Sequence, residues 1–195
     1  MFVGDAIFNA VLVAACLYTM YELTPADHPY GYTAAAFSLV HGLFGIVHSL
    51  QEPPEDEECE LTSRAIMIST SIIETIVLAL ANIEFYLKSD QSAVALVHGL
   101  AVIPLFYDML GKMSDDLDSN TETLKSLAVF GNILSTSHLA YKEGNAIYAG
   151  VAAAAFIARY CASYIDGFFQ GMGAHVNTLG NATILALMTY ALTQK

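Results

Sequence analysis

The chain has 195 residues, 55% of them hydrophobic and 13% charged, with a net charge of −12 and a mean hydropathy of +0.51. A charged fraction well below the roughly 25% of soluble domains makes membrane the leading class, and the acidic balance excludes nucleic acid and anionic lipid surfaces, which call for basic patches. Three scattered cysteines, Cys16, Cys59 and Cys161, exclude a disulfide framework and a zinc cluster, and the two in apolar runs read as packed small hydrophobes.

The first apolar segment covers about 2–22. Its Val-Ala-Ala-Cys16 faintly resembles a lipoprotein cleavage box. No basic residues precede it, however, and Asp5 carries the wrong charge, so a retained first transmembrane helix is expected. Thr24-Pro25 and His28-Pro29 break the chain before a second segment at about 31–50. Pro53-Pro54 opens the acidic run from Glu52 to Glu60, which reads as a solvated edge without calcium-loop spacing. The third segment, about 63–87, is the longest apolar run and has the ~20 residues a helix needs to cross a bilayer core. It carries Glu74 near its middle, and a charge at that depth calls for a bundle interior, a cavity or a partner charge.

A fourth segment follows at about 92–112, where Ser89-Asp90 is expected to cap it and Pro104 to kink it by removing a backbone hydrogen bond. Ser119-Asn-Thr-Glu122 has capping-box spacing ahead of the fifth, about 123–142. Gly144-Asn145 turns the chain into the sixth, about 145–166, and Gly167, Gly171 and Gly173 are expected to loosen the link to the seventh, about 174–193. The expected fold class is all-α: a polytopic transmembrane bundle of about seven helices in a single domain over 1–195, with no link long enough for a domain outside the membrane. Lys and Arg near helix ends split evenly, Arg64, Lys112 and Lys125 against Lys88, Lys142 and Lys195, and fix no orientation.

Leu39-Val-His41-Gly-Leu43 recurs as Leu96-Val-His98-Gly-Leu100. The pairs Asn9 and Tyr18, Asn132 and Tyr141, and Asn181 and Tyr190 share one separation, and Tyr86 takes the same place in the third segment. These rhymes predict helical-hairpin repeats over about 1–50, 63–112 and 123–166 plus a last helix, an arrangement that often places binding sites at repeat interfaces. Small residues such as Ala34 to Ala36, Gly42, Gly45, Gly99 and Gly150 are expected to let helices approach closely.

Glu74 and Arg159 are the acid and base well inside apolar runs, at ~16 and ~10 Å from one membrane face by helical rise. They predict an internal ion pair, or a gate or proton site in a transporter. His41 and His98 hold equivalent places, as bis-histidine haem ligation between helices requires. His48 lies one heptad after His41, and Asp108 is placed to orient a ring nitrogen. The plainer reading is that each histidine bonds a neighbouring helix. Asn132 and Asn181 give polar faces to the fifth and seventh segments. Ser137 and His138 are adjacent and point ~100° apart on a helix, so they form no catalytic pair. There is no G-x-S-x-G, P-loop or H-E-x-x-H, and no lysine midway along the last segment for a retinal.

The expected function is that of a non-catalytic structural or accessory membrane component without cofactor, packing in the bilayer as a homo-oligomer or with other membrane proteins. The alternative is a small-solute or ion transporter or channel around Glu74, Arg159 and the histidines. A third reading is a haem-binding electron carrier. A cavity reaching Glu74 from one face favours transport, whereas a closed core with a broad outward patch of small residues favours assembly.

Overall fold

Among the described residues the chain forms only helices and the turns between them. In this computed structural model those residues are 2–50, 58–113 and 119–194 for the backbone, and 4–50, 63–113 and 121–194 for the side chains. The helices are α1 (Phe2–Glu22), α2 (Pro29–Leu50), α3 (Glu58–Lys88), α4 (Ser92–His98), α5 (Val102–Met113), α6 (Ser119–Glu143), α7 (Ala146–Phe156), α8 (Ala162–Phe168) and α9 (Met172–Thr193). A 3₁₀ turn, Gly99–Ala101, joins α4 to α5 without a break, and a π turn, Ile157–Cys161, joins α7 to α8.

Cross-helix contacts fix the directions. Thr189 Oγ1 donates to Thr19 Oγ1 at 2.8 Å, Asn82 Nδ2 to Asn132 O at 3.0 Å, and Lys88 Nζ to Ala191 O at 2.6 Å, so α1, α3, α6 and α9 run the same way. The rods between them return. The near end of the bundle is where α1 starts; the far end is where it stops.

Among the described residues, five stretches are long and apolar enough to cross a membrane: Gly4–Glu22, Pro29–Leu50, Ser63–Lys88, Ser92–Met113 and Ala146–Phe168. Helices α6 and α9 fall outside that set because they carry polar groups that the bundle buries, among them Lys125, Asn132 and Thr136 of α6 and Asn181 and Thr189 of α9. The central helix is α3, 61% buried over its apolar window against 17% for α1.

The helix ends are closed mostly by residues from other elements. At the far end the Glu84 carboxylate of α3 accepts from Tyr30 N at 2.8 Å and Gly31 N at 3.0 Å, and faces His28 Nδ1 at 3.3 Å. It satisfies free donors in the first turn of α2, where Pro29 has no N–H to offer. Lys88 Nζ likewise takes the last carbonyls of α9, Ala191 O and Gln194 O. Asn145 caps α7 by accepting from Ile147 N at 2.9 Å, after Gly144 turns the chain at φ +63°.

Two expected boundaries need correction. Gln91, not Ser89-Asp90, precedes α4; Ser89 Oγ is engaged with Phe85 O and Glu143, and Asp90 occupies a left-handed turn at φ +56°. Gly167 and Gly173 do not loosen the last link, because the first lies within α8 and the second within α9. There Asp166 Oδ1 accepts from Gly171 N and Gly173 N and holds the turn together. At Pro104 the rod is continuous, with a local change of winding just before the proline. Its ring crowds the carbonyl four residues earlier, and the 3₁₀ turn lies at that place. The serine side chain of the expected Ser119 capping box and the acidic run 52–57 lie outside the described residues.

Close approach of helices at small residues packs part of the bundle. A Cβ on Gly42 would come within 2.9 Å of Val13, and one on Gly45 would overlap the Asn9 amide, so both let α2 lie against α1. Gly99, the counterpart of Gly42 in the sequence rhyme, faces open space. The rhyming tyrosines also differ, since Tyr86 is buried and Tyr18, Tyr141 and Tyr190 are exposed.

Candidate functional site

A chain of alternating charges runs through the near half of the bundle and ties α3, α5, α6, the π turn and α9 together. Glu74 Oε2 of α3 pairs with Arg159 Nη1 at 3.0 Å. The other nitrogen, Nη2, reaches Glu122 and donates to Ser126 Oγ at 2.8 Å, both on α6. Glu122 Oε2 meets Lys125 Nζ at 2.7 Å, and Lys125 Nζ lies 3.1 Å from Asp108 Oδ2 of α5. Asp108 Oδ2 also meets Lys112 at 2.9 Å. Both ammoniums thus lie within ion-pair distance of the same Asp108 oxygen. Lys112 and Lys125 converge on Ser71 Oγ of α3. On the other side Asn177 donates to Glu74, and Asn181 Nδ2 donates to Asn177 Oδ1 at 2.8 Å.

Three carboxylates, Glu74, Asp108 and Glu122, thus alternate with three cations, Lys112, Lys125 and Arg159. Balance is what makes the arrangement tolerable, since each buried ion costs several kcal/mol in lost hydration and only a well-placed opposite charge offsets it. Glu122 stands at the mouth of the chain, its side chain 54% exposed, just before the apolar stretch of α6. Partial burial pushes its carboxyl up, but the hydrogen bonds from Lys125 and Arg159 outweigh that and hold it below the ordinary carboxylate range.

Arg159 sits on the π turn, where one extra residue in the helical circuit resets the face that follows. Such turns recur at functional sites. Beside the ion pair lies a cavity of about 410 Å³ lined by Thr70, Glu74, Arg159, Ser163, Asp166 and Asn177, among others. A second cavity, about 250 Å³, lies between α1, α2, α3 and α9, and shares Thr70, Ala174 and Asn177 with the first.

The histidines are distributed differently from the expectation that linked them. His41 and His48 line the 250 Å³ cavity with His175, and His41 Nδ1 lies 2.8 Å from Ser69 Oγ. His98 instead joins a polar cluster nearer the far end. There its Nδ1 meets Asn132 Oδ1 at 2.7 Å, its Nε2 meets Ser135 Oγ at 3.1 Å, and its ring stacks on Tyr86. Asn82 and Thr136 complete that cluster. The two imidazoles therefore line separate cavities, and both ring nitrogens of His98 are engaged. Asp108 orients no histidine, because Lys112 and Lys125 hold it.

Sequence reasoning paired Glu74 with Arg159 and singled out Asp108 and Asn181 without joining them to that pair; it missed Lys112, Glu122, Lys125, Ser71 and Asn177 as members of the site. The signal was present. Asp108 with Lys112, and Glu122 with Lys125, have the helical spacing of ion pairs, and Asn177 stands one turn before Asn181.

With that geometry in hand, residues 25–192 match a family described as Domain of unknown function (DUF4791). The chain belongs to that family. No curated protein and no solved structure matches it.

Proposed function

We propose that this member of the family is a seven-span membrane protein that admits a small polar solute or ion to the site around Glu74 and Arg159. The spans are α1, α2, α3, the α4–α5 rod, α6, the α7–α8 rod and α9. The carrying observation is the 410 Å³ cavity that has both members of the central ion pair in its wall. Support for lipid as the solvent comes from the five apolar stretches and from large side chains left outside, including Phe44, Leu100, Ile103, Phe106, Leu127 and Leu134. A mid-bundle ion pair facing a cavity is the usual mark of a solute or proton path in a membrane.

The accessory role is the second reading, and one observation favours it. A groove of about 650 Å³ runs between α6 and α7, walled by Ala140, Gly144, Ala146, Ala149 and Ala153, and small residues of this kind suit the close approach of another helix.

Reconstitution into liposomes separates the two. Swelling in iso-osmotic solutions of urea, glycerol and alkylammonium salts, together with proton flux by an internal dye, is expected to exceed that of protein-free vesicles for at least one solute. Glu74→Gln should lower that flux by about tenfold or more, the loss of roughly 1.4 kcal/mol of favourable interaction. No flux above empty vesicles would leave the accessory role standing, and equal flux from the variant would contradict the assignment of the path to Glu74.

A further inference from the structure

The 250 Å³ cavity between α1, α2, α3 and α9 has walls that offer lone pairs and few protons. Three hydroxyls line it, and each spends its proton on a carbonyl of its own helix: Thr70 on Ile66 O at 2.8 Å, Ser49 on Ile46 O at 2.8 Å, and Thr178 on Ala174 O at 2.9 Å. What these oxygens present sideways is acceptor capacity. Asn9 Nδ2 donates to Asp5 O at 2.9 Å, and its buried Oδ1, packed against Gly45, is not among the acceptors turned to the space. His41, also in the wall, has its Nδ1 2.8 Å from Ser69 Oγ, which in turn lies 3.0 Å from Ile66 O. Asp5, 3.4 Å from His175 Nε2, adds a carboxylate at the partly exposed rim beside exposed His48.

Ile66, Ile73 and Ala174 supply apolar wall, and Gly45 and Asn177 complete it. A space of about 250 Å³ is several times the ~30 Å³ of one water, too roomy for a bare metal ion held by close oxygens and suited to a molecule of a few carbons. We infer that this cavity binds a small primary alkylammonium: its N–H donors meet the surplus acceptors, its charge faces Asp5, and its short chain lies against the two isoleucines. Thr70, Ala174 and Asn177 are common to this cavity and the one at Glu74, so the cation would wait next to the ion pair. The inference names the solute class for the transport reading and rests on that reading only for onward movement; binding itself does not need it.

Equilibrium binding to the full chain in lipid nanodiscs at pH 8 tests it, with n-butylammonium chloride, n-butanol and sodium butyrate as probes of nearly one shape and three charges. Butylammonium is expected to bind about tenfold or more tightly than either of the others. Thr70→Val should reduce that preference about threefold while leaving the affinity for butanol unchanged. Equal affinities for the three probes, or an unaltered preference in the variant, would overturn the assignment. Binding of the ammonium without flux in liposomes contradicts the transport reading alone, and flux without preference for the cation contradicts this inference alone.

Discussion

Lys125 has a side chain only 2% exposed, placed between Glu122 and Asp108. Its position shows how the ladder is kept neutral: each cation has two carboxylates or a carboxylate and hydroxyls within reach, and no ion among the six faces the interior by itself. Glu122 is the member whose charge can be tested from outside. Its carboxyl is held below the ordinary range by Lys125 and Arg159, so its contribution is fully present above the unfolded value near 4.3 and disappears as pH falls through the lower folded value. Thermal unfolding in detergent between about pH 6 and 3 should therefore show a steeper loss of Tm for the native chain than for Glu122→Gln. Superimposable curves would mean that the carboxylate contributes nothing to the folded state.

Between elements, the bundle depends on how near two helices can come and on who closes their ends. Gly45 lies flat against the Asn9 amide where α2 crosses α1, whereas Gly99 faces no neighbour. Gly45→Ala should lower stability by about 1–3 kcal/mol through overpacking. Gly99→Ala should leave it unchanged or raise it by about 0.5–1 kcal/mol, since alanine restricts the unfolded chain more. Chemical denaturation of both variants in one detergent measures the contrast, and equal losses would contradict the packing described for α1 and α2.

Periodic apolar stretches such as 63–87 and 92–112 were legible in the sequence because lipid-length hydrophobicity and Pro or Gly punctuation are local signals. The Glu74–Arg159 pair was legible for a related reason, as lone charges in apolar runs are forced to meet. The closure of α2 by Glu84 and of α9 by Lys88 joins residues over fifty positions apart and leaves no local trace. The π turn under Arg159 has no sequence signature either. Histidines in matching pentapeptides suggested a shared centre, but the helices carrying them face different neighbours, so His41 and His98 part.

For the molecule as a whole, the buried chain of balanced charges and the apolar exterior make one demand. Large side chains such as Phe44, Leu100, Phe106 and Leu134 stand outside while Lys125, Asn132 and Thr136 stand inside, the reverse of what water would select. On the membrane reading proposed above, lipid around the bundle would account for both facts and would keep water from the ion pairs except through the cavities. The expressed chain's distribution after an alkaline carbonate wash of cell membranes reads this most directly. Retention in the membrane pellet, with release only by detergent, is the expected result. Recovery in the supernatant as a detergent-free monomer would contradict the lipid-facing exterior and the transport reading built on it.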